Sequence, residues 1–78
     1  MSANVKEIKK NGYEFVLEYD TGGDGAEYTC WVYKNGKEVF DSNGYQVRKC
    51  FDEKFNYNHY RNFANKFATD EQYRKTFM

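Results

Sequence analysis

The residues that could perform catalytic or metal chemistry are few and widely spaced. Cys30, Cys50 and His59 are the only cysteines and the only histidine of the chain. A structural zinc site takes four ligands and often contains a Cys-x-x-Cys pair, so these three residues do not predict one. A catalytic histidine needs a nucleophile or an orienting carboxylate, and the sequence assigns neither to His59. We therefore expect no metal, no cofactor and no enzymatic activity.

Two acidic pairs and one glycine-rich segment have structural explanations. Asp52-Glu53 and Asp70-Glu71 stand where helix starts would favour negative charge. Residues 21–26 contain three glycines in four positions, but no Gly-Lys-Ser/Thr follows them. This segment therefore predicts a plain loop and not a phosphate-binding loop.

The two cysteines are too few for a disulfide framework. We expect both thiols to be reduced and largely buried. Cys30 would lie in a strand and Cys50 in the first helix, on facing sides of the sheet and that helix. In this arrangement oxidation could cross-link them, although function should not require it.

The elements that position the aromatic residues are organised around a β-hairpin at residues 27–41. Two runs rich in aromatic and β-branched residues flank Asn35-Gly36. These two residues tolerate positive φ at both central positions of a type I′ turn. The two-residue loop fixes the pairing and predicts Trp31 opposite Phe40, with strands at 27–34 and 37–41.

Two further strands are predicted before this hairpin. Residues 13–20 alternate between apolar and polar side chains, which is typical of a half-buried antiparallel strand. Residues 5–10 are expected to form a short edge strand, joined to the next by the turn Asn11-Gly12.

Pairing of Tyr19 near Tyr28 would decide which side chains share a face. The inner face would then carry Tyr13, Phe15, Leu17, Tyr19, Tyr28, Cys30, Val32 and Val39. The outer face would carry Val16, Trp31, Tyr33 and Phe40 among Glu14, Glu18 and Glu38. A slip of one residue would exchange the faces of the second strand relative to the first.

Helices are predicted between residues 46 and 77, beyond a turn at 41–44. The first apolar stripe is Val47, Cys50, Phe51 and Phe55, and the second is Tyr60, Phe63, Ala64 and Phe67. Thr69 to Gln72 has the pattern of a capping box that opens a final short helix. The sequence thus predicts one α+β domain, in which an antiparallel meander of three or four strands is followed by C-terminal helices packed on one face.

Charge and hydropathy bound the function classes. The net charge is zero, but residues 1–47 are mildly acidic and residues 48–78 mildly basic. Neither the strong acidity of a DNA mimic nor the basic excess of a strong nucleic-acid binder is present. No apolar run approaches membrane-spanning length. We expect a soluble cytoplasmic protein that does not contact membranes.

Three segments of the chain together form a pattern of a strand, a strand with an Asn-Gly turn, and a Ser-x-Gly-Tyr sequence. They are Tyr13-Glu-Phe-Val-Leu, Tyr28-Thr-Cys-Trp-Val-Tyr-Lys-Asn-Gly-Lys-Glu-Val and Ser42-Asn-Gly-Tyr45. With Arg48 and Cys50 entering a helix, this pattern resembles the small YegP-like β-β-β-α domains over residues 13–55. That family has no defined activity, so the resemblance implies a fold and adds little about function.

The leading functional hypothesis is a non-enzymatic protein-binding module. Its partner surface would consist of Trp31, Tyr33 and Phe40, with Glu18 and Glu38 at the edge. The competing interpretation is that these aromatic residues belong to the core. Small size and an Asn-, Lys- and Tyr-rich composition resemble phage and mobile-element inhibitors of host defence complexes, including anti-CRISPR proteins. A homodimer through the same surface is a further possibility.

The alternative hypothesis is a nucleic-acid-binding module that uses the basic helical half. Its candidate residues are Arg48, Lys49, Arg61 and Lys66, with tyrosines nearby to stack bases. Three strands followed by a helix also resemble the order of a double-stranded-RNA-binding domain. However, Asp52 and Glu53 interrupt the lysine cluster expected there, and the first helix of such domains is missing.

Overall fold

The computed structural model describes residues 2–20, 27–51 and 55–78, which form five strands followed by two helices. The strands are β1 (Ser2–Lys10), β2 (Tyr13–Asp20), β3 (Glu27–Lys34), β4 (Lys37–Glu38) and β5 (Arg48–Phe51). The helices are α1 (Tyr57–Thr69) and α2 (Glu71–Lys75). Every strand pair is antiparallel, β2 lies between β1 and β3, and β4 and β5 share the far edge of β3. The predicted α+β class is confirmed.

Two Asn-Gly turns define one end of the sheet. Asn11 and Gly12 have φ values of 53° and 82°, and Asn35 and Gly36 have values of 51° and 81°. Positive φ at both positions is the signature of the predicted type I′ turns. The amide of Asn35 donates to the carbonyl of Gly12 at 3.0 Å, so the two turns support each other. The amide of Gly36 also donates to Glu14 Oε1 at 2.7 Å.

The second turn gives a direct test of the hairpin. We expect Gly36→Val to lower the free energy of unfolding by about 1–3 kcal/mol, because a β-branched residue is strained at positive φ. The position has open space around it, so the cost would come from the backbone conformation and not from a clash. Lys37→Val is the matched control, since it introduces the same side chain into extended β4 and should change stability by less than about 0.5 kcal/mol. Equal effects of the two substitutions in urea unfolding would contradict the type I′ turn.

The pairing of β2 with β3 has the register on which the predicted faces depend. Tyr19 pairs with Tyr28 and Phe15 pairs with Val32 across β2 and β3. As a result, the buried residues of both strands face the same side, which is the inner face of the sheet. The buried core contains, from the strands and their flanks, Tyr13, Phe15, Leu17, Cys30, Val32, Val47 and Phe51, and from α1, Tyr60, Phe63, Ala64, Phe67 and Ala68.

Helix α1 covers the inner face with the predicted second stripe. The side chain of Asn56 accepts from the amide of Asn58 at 2.7 Å and so caps the helix start. Phe63 and Phe67 pack edge-on against Phe15 with ring centroids 5.9 and 5.7 Å apart. The hydroxyl of the fully buried Tyr60 donates to the carbonyl of Phe15.

The end of α1 is held by two side chains from other parts of the chain. Arg74 Nε donates to the carbonyl of Phe67 at 3.0 Å, and Asn11 Nδ2 donates to that of Ala68 at 2.9 Å. These donors satisfy carbonyl groups that a helix end leaves unpaired. Helix α2 follows at once, capped by Asp70, whose Oδ1 accepts from the amide of Tyr73 at 3.2 Å. The predicted cap at Thr69 is therefore wrong by one residue.

The helix predicted to begin at residue 46 is wrong. Residues 48–51 form β5, which pairs with β3 so that Trp31 lies opposite Arg48 and Thr29 opposite Cys50. Val47 and Phe51 are buried as expected, because residues four apart share a face in a strand as well as in a helix. Position 50, three residues after Val47, falls on the other face in a strand.

The strand predicted at 37–41 is shorter than expected. β4 ends at Glu38, and the chain then turns through residues 41–44 to bring Val47 beside Val32 and Val39. The amide of Val47 donates to the carbonyl of Val39 at 2.8 Å, and that of Val32 to the carbonyl of Val47 at 3.1 Å. Phe40 consequently forms a bridge with Gln46 and does not lie opposite Trp31.

Two sequence interpretations concern residues that the structure does not describe. The loop at 21–26 and the helix-start interpretation of Asp52-Glu53 lie outside the described residues. Within the described ranges, neither helix has the length and hydropathy needed to cross a bilayer.

Candidate functional site

The outer face of the sheet is the face opposite the helices. It carries Val16 and Glu18 from β2, Trp31 and Tyr33 from β3 and Arg48 from β5. Since the buried strand residues and the buried stripe of α1 meet on the inner face, no element of the described chain packs over the outer face. The prediction that Trp31 and Tyr33 lie on this face, and not in the core, is confirmed.

Trp31 is at the centre of the outer face, in the central strand β3. It lies between Val16 on β2 and Arg48 on β5, and the Arg48 guanidinium carbon is 5.5 Å from the centre of its ring. The indole is half-buried by these neighbours. A cation–π contact of this kind fixes both side chains and leaves part of the ring open to a partner.

The remaining residues of the predicted surface surround Trp31. Tyr33 lies between Glu14 and Glu38, and Glu18 lies opposite Thr29. Phe40 is 52 % exposed, near the sheet edge where β4 ends. Four of the five predicted residues therefore belong to adjacent rows of one sheet face, and Phe40 extends this surface at its edge.

The outer face carries an excess of negative charge. Among the side chains that the structure describes, the outward carboxylates belong to Glu7, Glu14, Glu18, Glu27 and Glu38, and the outward basic groups to Lys9 and Arg48. Lys9 Nζ lies 3.8 Å from Glu7 Oε1, and Glu14 is held by the Gly36 amide. Around Trp31 and Tyr33, Glu38 is exposed, and Glu14 and Glu18 are half-buried.

The four residues of the nucleic-acid hypothesis do not form one surface. Arg48 lies on the outer face against Trp31. Lys49 and Lys66 line a groove between β5 and α1 on the other side of the sheet. Arg61 is exposed on α1 and donates to the side chain of Asn58. The structure thus brings together two of the four basic residues and separates the other two.

The two cysteines differ in accessibility, so the prediction that both are buried is wrong. Cys30 is fully buried, and burial raises the pKa of its thiol far above the usual range. Cys50 is exposed and lies on the strand face opposite to that of Cys30, which rules out the predicted facing arrangement. Within the described ranges, no group of three or more His, Cys, Asp or Glu side chains is placed to hold a metal.

The difference between the thiols predicts their reactivity. With a thiol–disulfide exchange reagent at pH 8, we expect one thiol per chain to react quickly, at Cys50. The reaction rate of Cys30 should be lower by about a thousand-fold or more, because its sulfur is exposed only when the core opens. Cys50→Ser should abolish the fast phase, and denaturant should restore reaction at Cys30. Two thiols reacting at the same rate would contradict this packing.

Sequence reasoning missed the contact between Arg48 and Trp31 and the groove between β5 and α1. Both depend on β5, which had been assigned to a helix. The sequence gives no period-two signal for this strand, because Lys49 stands between Val47 and Phe51 on the inner face. Comparison of the chain with protein-family models, with curated proteins and with solved structures gives no match. The YegP-like resemblance therefore stays a prediction.

Proposed function

We propose that this chain is a non-enzymatic protein-binding module whose contact surface is the outer face around Trp31. The observation that carries the proposal is the uneven coverage of the sheet. The core and both helices lie on the inner side, whereas Trp31 and Tyr33 are held on the outer side by cross-strand neighbours. Aromatic residues on a rigid central strand lose little entropy on binding and often anchor protein interfaces.

The charge of the outer face indicates the chemistry of the partner. Exposed carboxylates around an aromatic centre complement a basic surface, and such complementarity accelerates association and excludes acidic partners. Trp31, Tyr33 and Phe40 would supply the buried apolar contact, with Glu18 and Glu38 at its rim. Arg48 would stay against Trp31 and limit the net negative charge at the centre.

In its most specific form, the proposed partner is a host defence complex, and this chain is a phage or mobile-element inhibitor of the anti-CRISPR type. Such complexes hold nucleic acid against basic protein surfaces. A small acidic and aromatic face could occupy one of these surfaces and exclude nucleic acid without any catalysis. The protein would then act in the cytoplasm of the host cell.

Affinity capture tests the proposal. Immobilised wild-type protein and the Trp31→Ala variant are incubated with lysate of the native host, with and without nuclease. We expect a protein that is retained by the wild type after nuclease treatment and lost with Trp31→Ala. Tyr57→Ala is the control, because Tyr57 is an exposed aromatic residue on α1. Material retained only without nuclease, and equally by all variants, would favour nucleic-acid binding instead.

Self-association through the same surface would be detected by a separate measurement on the purified protein. Sedimentation equilibrium of the purified wild type would show a dimer that Trp31→Ala converts to a monomer. In that case the partner of the outer face is a second copy of this chain, and capture of a host protein is not expected.

A further inference from the structure

A groove of about 600 Å³ lies between β5 and α1, on the side of the sheet away from Trp31. Its origin lies in the packing of the helix: α1 packs on β1 and β2, so the inner side of the edge strand β5 is only partly covered. A volume of this size is within the range of small-ligand sites, which are concave and mainly apolar.

Aromatic side chains form most of the apolar surface of the groove. Phe51 and Phe63 are almost completely buried beneath it, whereas Phe55 and Tyr73 are half-buried at its sides. Phe55 is fixed by stacking on Tyr28, with ring centroids 4.2 Å apart and 15° between the planes. Rings held in this way offer a preformed contact for a planar ligand.

Each wall of the groove supplies one ammonium group. Lys49 comes from β5, on the inner side of the sheet, and Lys66 comes from α1. Lys66 Nζ lies 4.8 Å from the centre of the Tyr73 ring, which places its charge beside an aromatic surface. His59 and Asn62 add polar groups from the same helix. Aromatic surface and positive charge from both walls thus converge on one cavity.

We propose that the β5–α1 groove binds a small planar aromatic anion, the chemistry that a nucleoside monophosphate presents. The ring would pack against Phe55 and Tyr73, and the anionic group would lie between Lys49 and Lys66. The same chemistry has two sources, a free nucleotide or one nucleotide of a single strand. This inference does not depend on the outer face and can hold whether or not the proposed function is correct.

Nitrogen–proton correlation spectra of the full chain test the groove, with adenosine monophosphate as the ligand added. We expect saturable shifts at the amides of Lys49, Phe51, His59 and Asn62. Adenosine alone and inorganic phosphate alone should bind at least about ten-fold more weakly, because each engages one half of the site. Lys49→Gln/Lys66→Gln should weaken binding by about ten-fold or more, since charge-assisted contacts to phosphate are lost.

Control variants separate a site-specific effect from general electrostatics. Lys37→Gln/Lys75→Gln removes the same charge from exposed positions outside the groove and should leave the affinity unchanged. Lys66→Gln alone changes only an exposed helix residue, so it keeps the test valid if the double variant does not fold. Absence of localised shifts, or equal binding by wild type and both groove variants, would overturn the proposal.

A short single-stranded oligoadenylate distinguishes the two sources of the ligand. If it shifts the same amides and binds more tightly than the monophosphate, with a steeper dependence on salt, the nucleotide belongs to a strand. If its affinity per nucleotide is no greater, a free nucleotide is the ligand. Shifts confined to residues outside the groove would contradict the assignment for both sources.

Discussion

Replacing Phe15 with alanine is expected to lower the free energy of unfolding by about 3–5 kcal/mol. Phe15 is fully buried on β2, and its ring contacts Phe63 and Phe67 edge-on. The substitution would remove these contacts and leave a cavity between the sheet and α1. Because small domains are stable by only about 5–15 kcal/mol, a large part of the population should unfold at moderate temperature. Urea unfolding followed by circular dichroism measures the effect.

Phe40→Ala is the matched control for this experiment. It removes the same ring from a position that is 52 % exposed, so we expect a loss of about 1 kcal/mol or less. The contrast tests the assignment of the two faces, because Phe15 is fully buried on the inner face and Phe40 lies outside the buried core. Similar losses for Phe15→Ala and Phe40→Ala would contradict the inner and outer faces described above.

Replacing Trp31 with alanine is expected to weaken partner binding by about 2 kcal/mol or more, which is roughly thirty-fold in affinity. The fold should persist, because Trp31 is half-buried on the outer face and makes no contribution to the buried core. Loss of the contacts between the indole and its cross-strand neighbours should lower the free energy of unfolding by only about 1 kcal/mol. Calorimetric or optical titration against the captured partner measures the affinity, and urea unfolding measures the stability.

The basic residues of the alternative hypothesis provide the comparison. Arg61→Ala/Lys66→Ala should leave protein binding unchanged, whereas a nucleic-acid interface would lose affinity and show a steep salt dependence. Measurements at two salt concentrations separate these cases. If Trp31→Ala folds and binds normally while the basic double variant fails, the outer face is not the contact surface.

Local patterns predicted the parts of the fold in which short-range chemistry and tertiary packing agree. The alternation of Tyr13, Phe15, Leu17 and Tyr19 predicts a half-buried strand. Asn35-Gly36 predicts a type I′ turn, because both central positions of that turn require positive φ. These two signals predicted the strands and grouped their side chains by face. The register of β2 against β3, which decides whether Trp31 and Tyr33 share the face of Phe15, was left open by the sequence and is given by the structure. The candidate residues were thus identified from sequence, but their exposure depended on a long-range pairing.

The segment that follows the hairpin was not predictable in the same way. Val47 and Phe51 are four residues apart, which places them on one face in either a strand or a helix. The deciding factor is the open edge of β3 beyond β4, which residues 48–51 complete by pairing. Such a long-range backbone interaction has no local signature. The error placed Cys50 in the core and hid the position of Arg48 beside Trp31.

Hydroxyl-radical footprinting of the complex tests the role of the outer face most directly, because it reports the accessibility of individual side chains. The free protein and the protein bound to its captured partner are oxidised under the same conditions and compared residue by residue. We predict that Trp31, Tyr33 and Phe40 become protected on binding, whereas Tyr57 on α1 keeps its reactivity. Protection of Tyr57 with unchanged oxidation of Trp31 and Tyr33 would contradict the proposed contact surface.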